Sequence, residues 1–89
     1  MKKNKHPTEI PGYEGNLFKL VDFIVGELRF DEVKKLHQLL SERYLLESKK
    51  EEDLGHIKAS GELLEASKTE GLTEKAIERL WIICKPYTK

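Results

Sequence analysis

The sequence predicts an all-α fold, a compact antiparallel bundle of four to six helices. Three observations carry that prediction. Beyond Gly15 the apolar residues recur at helical spacing, most clearly near the end, where Ile77, Leu80, Trp81 and Cys84 fall at i, i+3, i+4 and i+7. Capping and turn residues separate the successive stretches. The hydrophobic content of 38% argues against disorder over most of the chain.

The 89 residues make one domain with a single core and little reserve, since a chain of this size buries only about two-thirds of its unfolded surface. Residues 1–15 form a polar, basic arm, Met1-Lys2-Lys3-Asn4-Lys5-His6-Pro7 followed by Pro11, Gly12 and Gly15, and residues 16–89 form the helical domain. Flexibility is expected of that arm. Its lysines could touch phosphate, although a basic start without a structural role is the commoner case.

Helix one is predicted over 16–28, with Asn16 as N-cap and Leu17, Leu20, Val21, Ile24 and Leu28 as its apolar stripe. Phe18 and Val25 lie to one side of that stripe and Phe23 to the other. So apolar a helix is either the central core helix, the ordinary reading, or one that offers a flank to a partner. Helix two is expected over 32–46, capped by Asp31 and burying Val33, Leu36, Leu39 and Leu40. Ser48-Lys49-Lys50-Glu51 has the spacing of a capping box, so a new short helix is expected there. One long helix over 31–68 is the alternative, opposed by Gly55 and Gly61, each costing about 1 kcal/mol in a helix interior.

From Leu54 to Ala66 the apolar face is thinner, and this region is expected to be the least rigid. Gly71 is a candidate left-handed C-cap, Thr73 the cap of the final helix, and Leu72 and Ile77 the staple across it. Pro86 ends that helix.

The residues that do chemistry are scattered. His6, His37 and His56 lie in different segments without metal-ligand spacing. Glu52, Asp53 and His56 would share a helix face, but such groupings are nearly always solvated surface. Cys84 occupies an apolar-stripe position and is expected to be a buried, inert thiol. There is no phosphate loop and no nucleophile elbow. The chain is therefore expected to bind, not to catalyse, with no cofactor and no metal.

Sixteen basic and sixteen acidic residues cancel, which leaves no global field towards nucleic acid or an anionic membrane. A lone cysteine cannot form an intrachain disulfide, and there is no signal-peptide-like or membrane-spanning apolar run. A cytoplasmic or nuclear location is the natural reading.

Two stretches carry a resemblance. The run Val25-Gly26-Glu27-Leu28-Arg29-Phe30-Asp31-Glu32-Val33-Lys34-Lys35-Leu36-His37-Gln38-Leu39 resembles the helix 1 to helix 2 passage of death effector domains, where a GEELDSEEL…LKFL pattern recurs. Ile57-Lys58-Ala59-Ser60-Gly61-Glu62-Leu63-Leu64, then Glu70-Gly71-Leu72-Thr73-Glu74 and Ile77-x-x-Leu80-Trp81, is similar to their helix 4 to helix 5 passage. The resemblance spans roughly 17–84 and rests on hydrophobic pattern and order. Departures accompany it: the R-x-D-L motif of helix 6 is absent, Gln38 stands where the family has an aromatic residue beside Leu39, and Gly61 and Ser67 replace apolar positions. A divergent member, or another branch of the death fold, fits better than a typical one.

The resemblance implies homotypic assembly in apoptotic or immune signalling, with a domain of the same fold as partner and weak self-association as a corollary. The surface residues it nominates are Phe18 and Val25 on helix one, Glu32, Lys35 and Leu39 on helix two, and Glu78 and Arg79 on helix five. Each has a plainer reading, as core for the apolar residues and as solvated surface for the charges. Two other classes compete. Residues 62–84 could form a DNA-binding helix-turn-helix around the Glu70-Gly71-Leu72 turn, although Glu74 and Glu78 on its outer face would oppose phosphate. A small helical inhibitor or immunity-type protein is also compatible with the neutral charge and small size.

Overall fold

The computed structural model describes residues 10–87, and the flexible arm expected over 1–15 lies largely outside the described residues. The described residues form α1 (Leu17–Gly26), α2 (Phe30–Asp53), α3 (Ile57–Cys84) and a short 3-10 turn (Lys85–Tyr87). They include no strand, and the fold is all-helical.

Before α1, Tyr13 N–H bonds the Ile10 carbonyl at 3.0 Å and Gly12 takes a φ of +83°. A turn therefore occupies part of the segment expected to be flexible. The Asn16 side chain then accepts from the Lys19 N–H at 2.9 Å, the predicted N-cap. Leu20 and Ile24 of α1, and Leu28 just past its end, are half-buried, but no residue of α1 is buried. Helix one is thus not the central core helix.

α2 begins earlier than expected and continues past residue 46. Arg29 occupies its N-cap position, not Asp31; instead the Arg29 guanidinium grips the Asp31 carboxylate through two bonds of 2.7 and 2.9 Å. That hydrogen bond holds the Asp31 carboxyl below the usual carboxylate range and raises the Arg29 pKa. The Arg29 guanidinium also lies 5.6 Å from the Trp81 ring centroid, tying the start of α2 to the end of α3.

The expected break at Ser48 does not occur. Ser48 sits inside α2, buried at 5% exposure, and its hydroxyl donates to the Ser60 carbonyl of α3 at 2.8 Å. Its oxygen is thus engaged across the helix pair instead of capping a new helix. α2 ends one turn later in a Schellman arrangement. Gly55 N–H bonds the Glu52 carbonyl, His56 N–H bonds the Glu51 carbonyl, and Gly55 adopts φ +83° as only glycine does cheaply. Gly55 therefore also rules out a single helix over 31–68.

α3 runs uninterrupted through Gly61, Gly71 and Thr73. Gly71 has no left-handed φ and caps nothing. Thr73 Oγ1 donates to the Thr69 carbonyl one turn back, so the expected cap and staple are absent. With residues 62–84 inside one helix, the turn that a helix-turn-helix needs is missing too. Among the described residues the expected four to six helices are three, because two expected breaks lie within continuous helices.

α2 and α3 pack antiparallel along a polar, small-residue seam. Ser41 and Ser67 exchange bonds reciprocally, each hydroxyl donating to the other's carbonyl at 2.9 and 2.8 Å. Ser48 and Ser60 repeat the contact one heptad away, their hydroxyls 3.0 Å apart. His37 Nδ1 meets Glu70 Oε1 at 2.5 Å, and Lys34 Nζ lies 3.9 Å from Glu78 Oε2. The partners run in reverse order along the two helices, which fixes the register. Small side chains permit close approach, and every buried hydroxyl is paired, which avoids the cost of orphaned donors. Val33, 4% exposed, is the buried apolar side chain of the described residues.

Candidate functional site

The described residues contain little apolar core and much apolar surface. Sixteen large hydrophobic side chains among them are exposed, against the single buried Val33. α1 holds the densest group. Leu20 and Ile24 make its half-buried row, whereas Phe18, Val21 and Val25, at i, i+3 and i+7, lie on an adjoining flank. Phe18 is 77% exposed, Val21 55% and Val25 66%. Exposed Phe23 lies on the other side of the half-buried row.

α1 is mostly apolar because its half-buried row and its exposed flank are both hydrophobic, with Lys19 and Asp22 left on the remaining side. Burying an exposed Phe or Val is worth about 1.5–3 kcal/mol each. Phe18, Val21 and Val25 make a contiguous exposed apolar row on one short helix.

The other nominated residues are dispersed. Leu39 is 54% exposed on α2. Glu32 and Lys35 face each other at 3.7 Å as an exposed i,i+3 pair, and Glu78 is engaged with Lys34. Arg79 is exposed on α3. Phe18 and Val25 thus share a flank, while the charged candidates belong to the solvated faces of the hairpin. Sequence reasoning passed over Val21, assigning it to the helix stripe; its i+3 spacing from Phe18 was the available signal.

Nothing in this arrangement gathers reactive groups. Glu52 and Asp53 are exposed, and His56 turns to Glu51 instead, Nδ1 to Oε1 at 2.8 Å. Among the described residues no group of three or more His, Cys, Asp or Glu side chains is placed to hold a metal ion. Cys84 is half-buried, not enclosed. No described helix is long and apolar enough to cross a membrane. No known family model, curated protein or solved structure matches the chain.

Proposed function

We propose that this protein is a non-enzymatic protein-interaction module that docks through the exposed flank of α1. The observation that carries the reading is the row Phe18, Val21 and Val25, exposed along one flank of a helix that has no buried residue. Three adjoining apolar side chains in water are an unfavourable surface until a partner covers them. The death-effector-like form of this role, assembly with another domain of related helical fold in apoptotic or immune signalling, has the sequence resemblance as its support. The continuous α3 departs from the helix 4 to helix 5 break of that family. A cytoplasmic setting accords with a partner that is another soluble domain.

The test is cross-linking mass spectrometry of the intact chain in its native cells, comparing wild type with Phe18→Asp. Cross-links from Lys19 to a protein partner, lost in the variant, are expected. Identical cross-links in both proteins would refute the assignment of this flank.

A further inference from the structure

We infer that the outer face of α3, over residues 68–83, docks on an anionic lipid surface, its cations on headgroup phosphates and its aliphatic side chains in the acyl boundary. The inference goes beyond the α1 docking role and does not rest on it.

α3 sorts its charges by side. Lys68, Leu72, Lys75, Arg79, Ile82 and Ile83 fall within about 100° of helical arc, away from the side on which Ser67 and Glu70 meet α2. All six are exposed, and Leu72, Ile82 and Ile83 are 70%, 63% and 68% so. The acids of the same stretch lie off that stripe. Glu70 meets His37, Glu78 lies against Lys34, and Glu74, one turn from each, is half-buried. Lys68, Lys75 and Arg79 have no ion-pair partner among the described residues, whereas Lys34, Lys35, Arg43 and Lys50 of α2 each have a glutamate.

Three uncompensated cations interleaved with aliphatic side chains are complementary to a partner that is anionic and apolar at once. An anionic lipid surface is both. The phosphates of a nucleic acid would cover the cations and leave Leu72, Ile82 and Ile83 in water. A protein helix seats in a groove, and this stripe is the convex outer face of one helix. Zero net charge does not oppose the contact, because the segregation is local. The Debye length at physiological salt is about 8 Å and a helix is about 10 Å across, so acids behind the stripe are screened from lipid that the cations touch. α3 would lie along the surface, since no described helix is long and apolar enough to cross a membrane.

The experiment is co-sedimentation of the full chain with vesicles of phosphatidylcholine and phosphatidylserine, about 7:3, against phosphatidylcholine alone. Wild type should bind the anionic vesicles at least about tenfold more tightly than the neutral ones, and should be released as salt rises. Lys68→Gln, Lys75→Gln and Arg79→Gln together should weaken binding about 100-fold, about fivefold for each charge, with circular dichroism unchanged. Glu65→Lys, at the border of the stripe one turn before Lys68, should strengthen it at least about fivefold. If the triple variant loses helicity, Glu65→Lys decides alone. Phe18→Asp should leave lipid binding intact, so failure of the α1 reading and failure of this one are told apart. A wild type that stays in the supernatant, or binds both vesicles equally, overturns the inference. So does binding that the folded triple variant and Glu65→Lys leave unaltered, or that Phe18→Asp abolishes, which moves the contact to α1. Retention on duplex DNA or a polyglutamate peptide without vesicle binding gives the stripe to that partner and overturns lipid docking.

Discussion

Alanine at position 71 separates a continuous α3 from two helices joined by a glycine cap, because the two arrangements give opposite signs. In α3, Gly71 lies in the helix interior with no left-handed φ, and a Cβ built there meets nothing within 4 Å. Gly71→Ala should therefore gain the helix-propensity difference without overpacking, about 0.8–1 kcal/mol. For a domain of this size that raises Tm by roughly 4–8 °C. Gly61 stands in equally open space, so Gly61→Ala should add a similar increment. Gly55→Ala supplies the contrast: at φ +83° a side chain is strained, and about 1–2 kcal/mol should be lost. The assay is thermal unfolding followed by circular dichroism at one fixed protein concentration, since association shifts Tm by mass action. A lower Tm for Gly71→Ala would mean that residue 71 is a left-handed cap, and the continuous α3 would be wrong.

The helix seam and the helix ends yield further expectations. Ser67→Ala removes the hydroxyl that donates to the Ser41 carbonyl and should cost about 1 kcal/mol, whereas Ser67→Leu should cost about 1–3 kcal/mol by forcing α2 and α3 apart; urea unfolding would rank them, and a harmless leucine would refute the close seam. Asn16→Ala should cost about 1 kcal/mol through the lost cap, seen as faster amide exchange in α1 ahead of the hairpin. Trp81→Ala should cost about 2–3 kcal/mol, less than for a fully buried tryptophan, because the ring is half-buried and part of its worth is the Arg29 contact; a loss no larger than the cation–π share of about 1 kcal/mol would leave the ring without a packing role.

The helical class and the start of α1 were legible because Asn16 is a strong cap and the apolar positions that follow have one period, although the helix ends at Gly26, short of the expected Leu28. The reach of α2 and α3 was not. Ser48-x-x-Glu51 reads as a capping box in sequence, but a serine in a helix interior is satisfied as well by a facing carbonyl, and local spacing does not distinguish the two. The better signal was long-range. Ser41 and Ser48 are seven apart, as are Ser60 and Ser67, and a small residue once per heptad in two consecutive segments marks helices that approach closely. Gly71 and Thr73 misled for a similar reason: each is a good terminator locally, yet neither overrides a long helix docked along its length on another. For the candidate site, the flank holding Phe18 and Val25 could be read from the helical repeat, but whether it lay in core or solvent depended on where α1 packs.

The serine seam also acts as a ruler. Hydrophobic seams tolerate sliding, since one leucine covers another almost as well a turn further along. Here a slip by one turn would take Ser41 and Ser48 away from Ser67 and Ser60, whose small side chains let each hydroxyl reach a facing backbone carbonyl, and would strand hydroxyls in the interior. The two long helices therefore have one registration. Residues inserted into the Leu54-Gly55-His56 turn should bulge outward as a longer loop, leaving the helices unshifted.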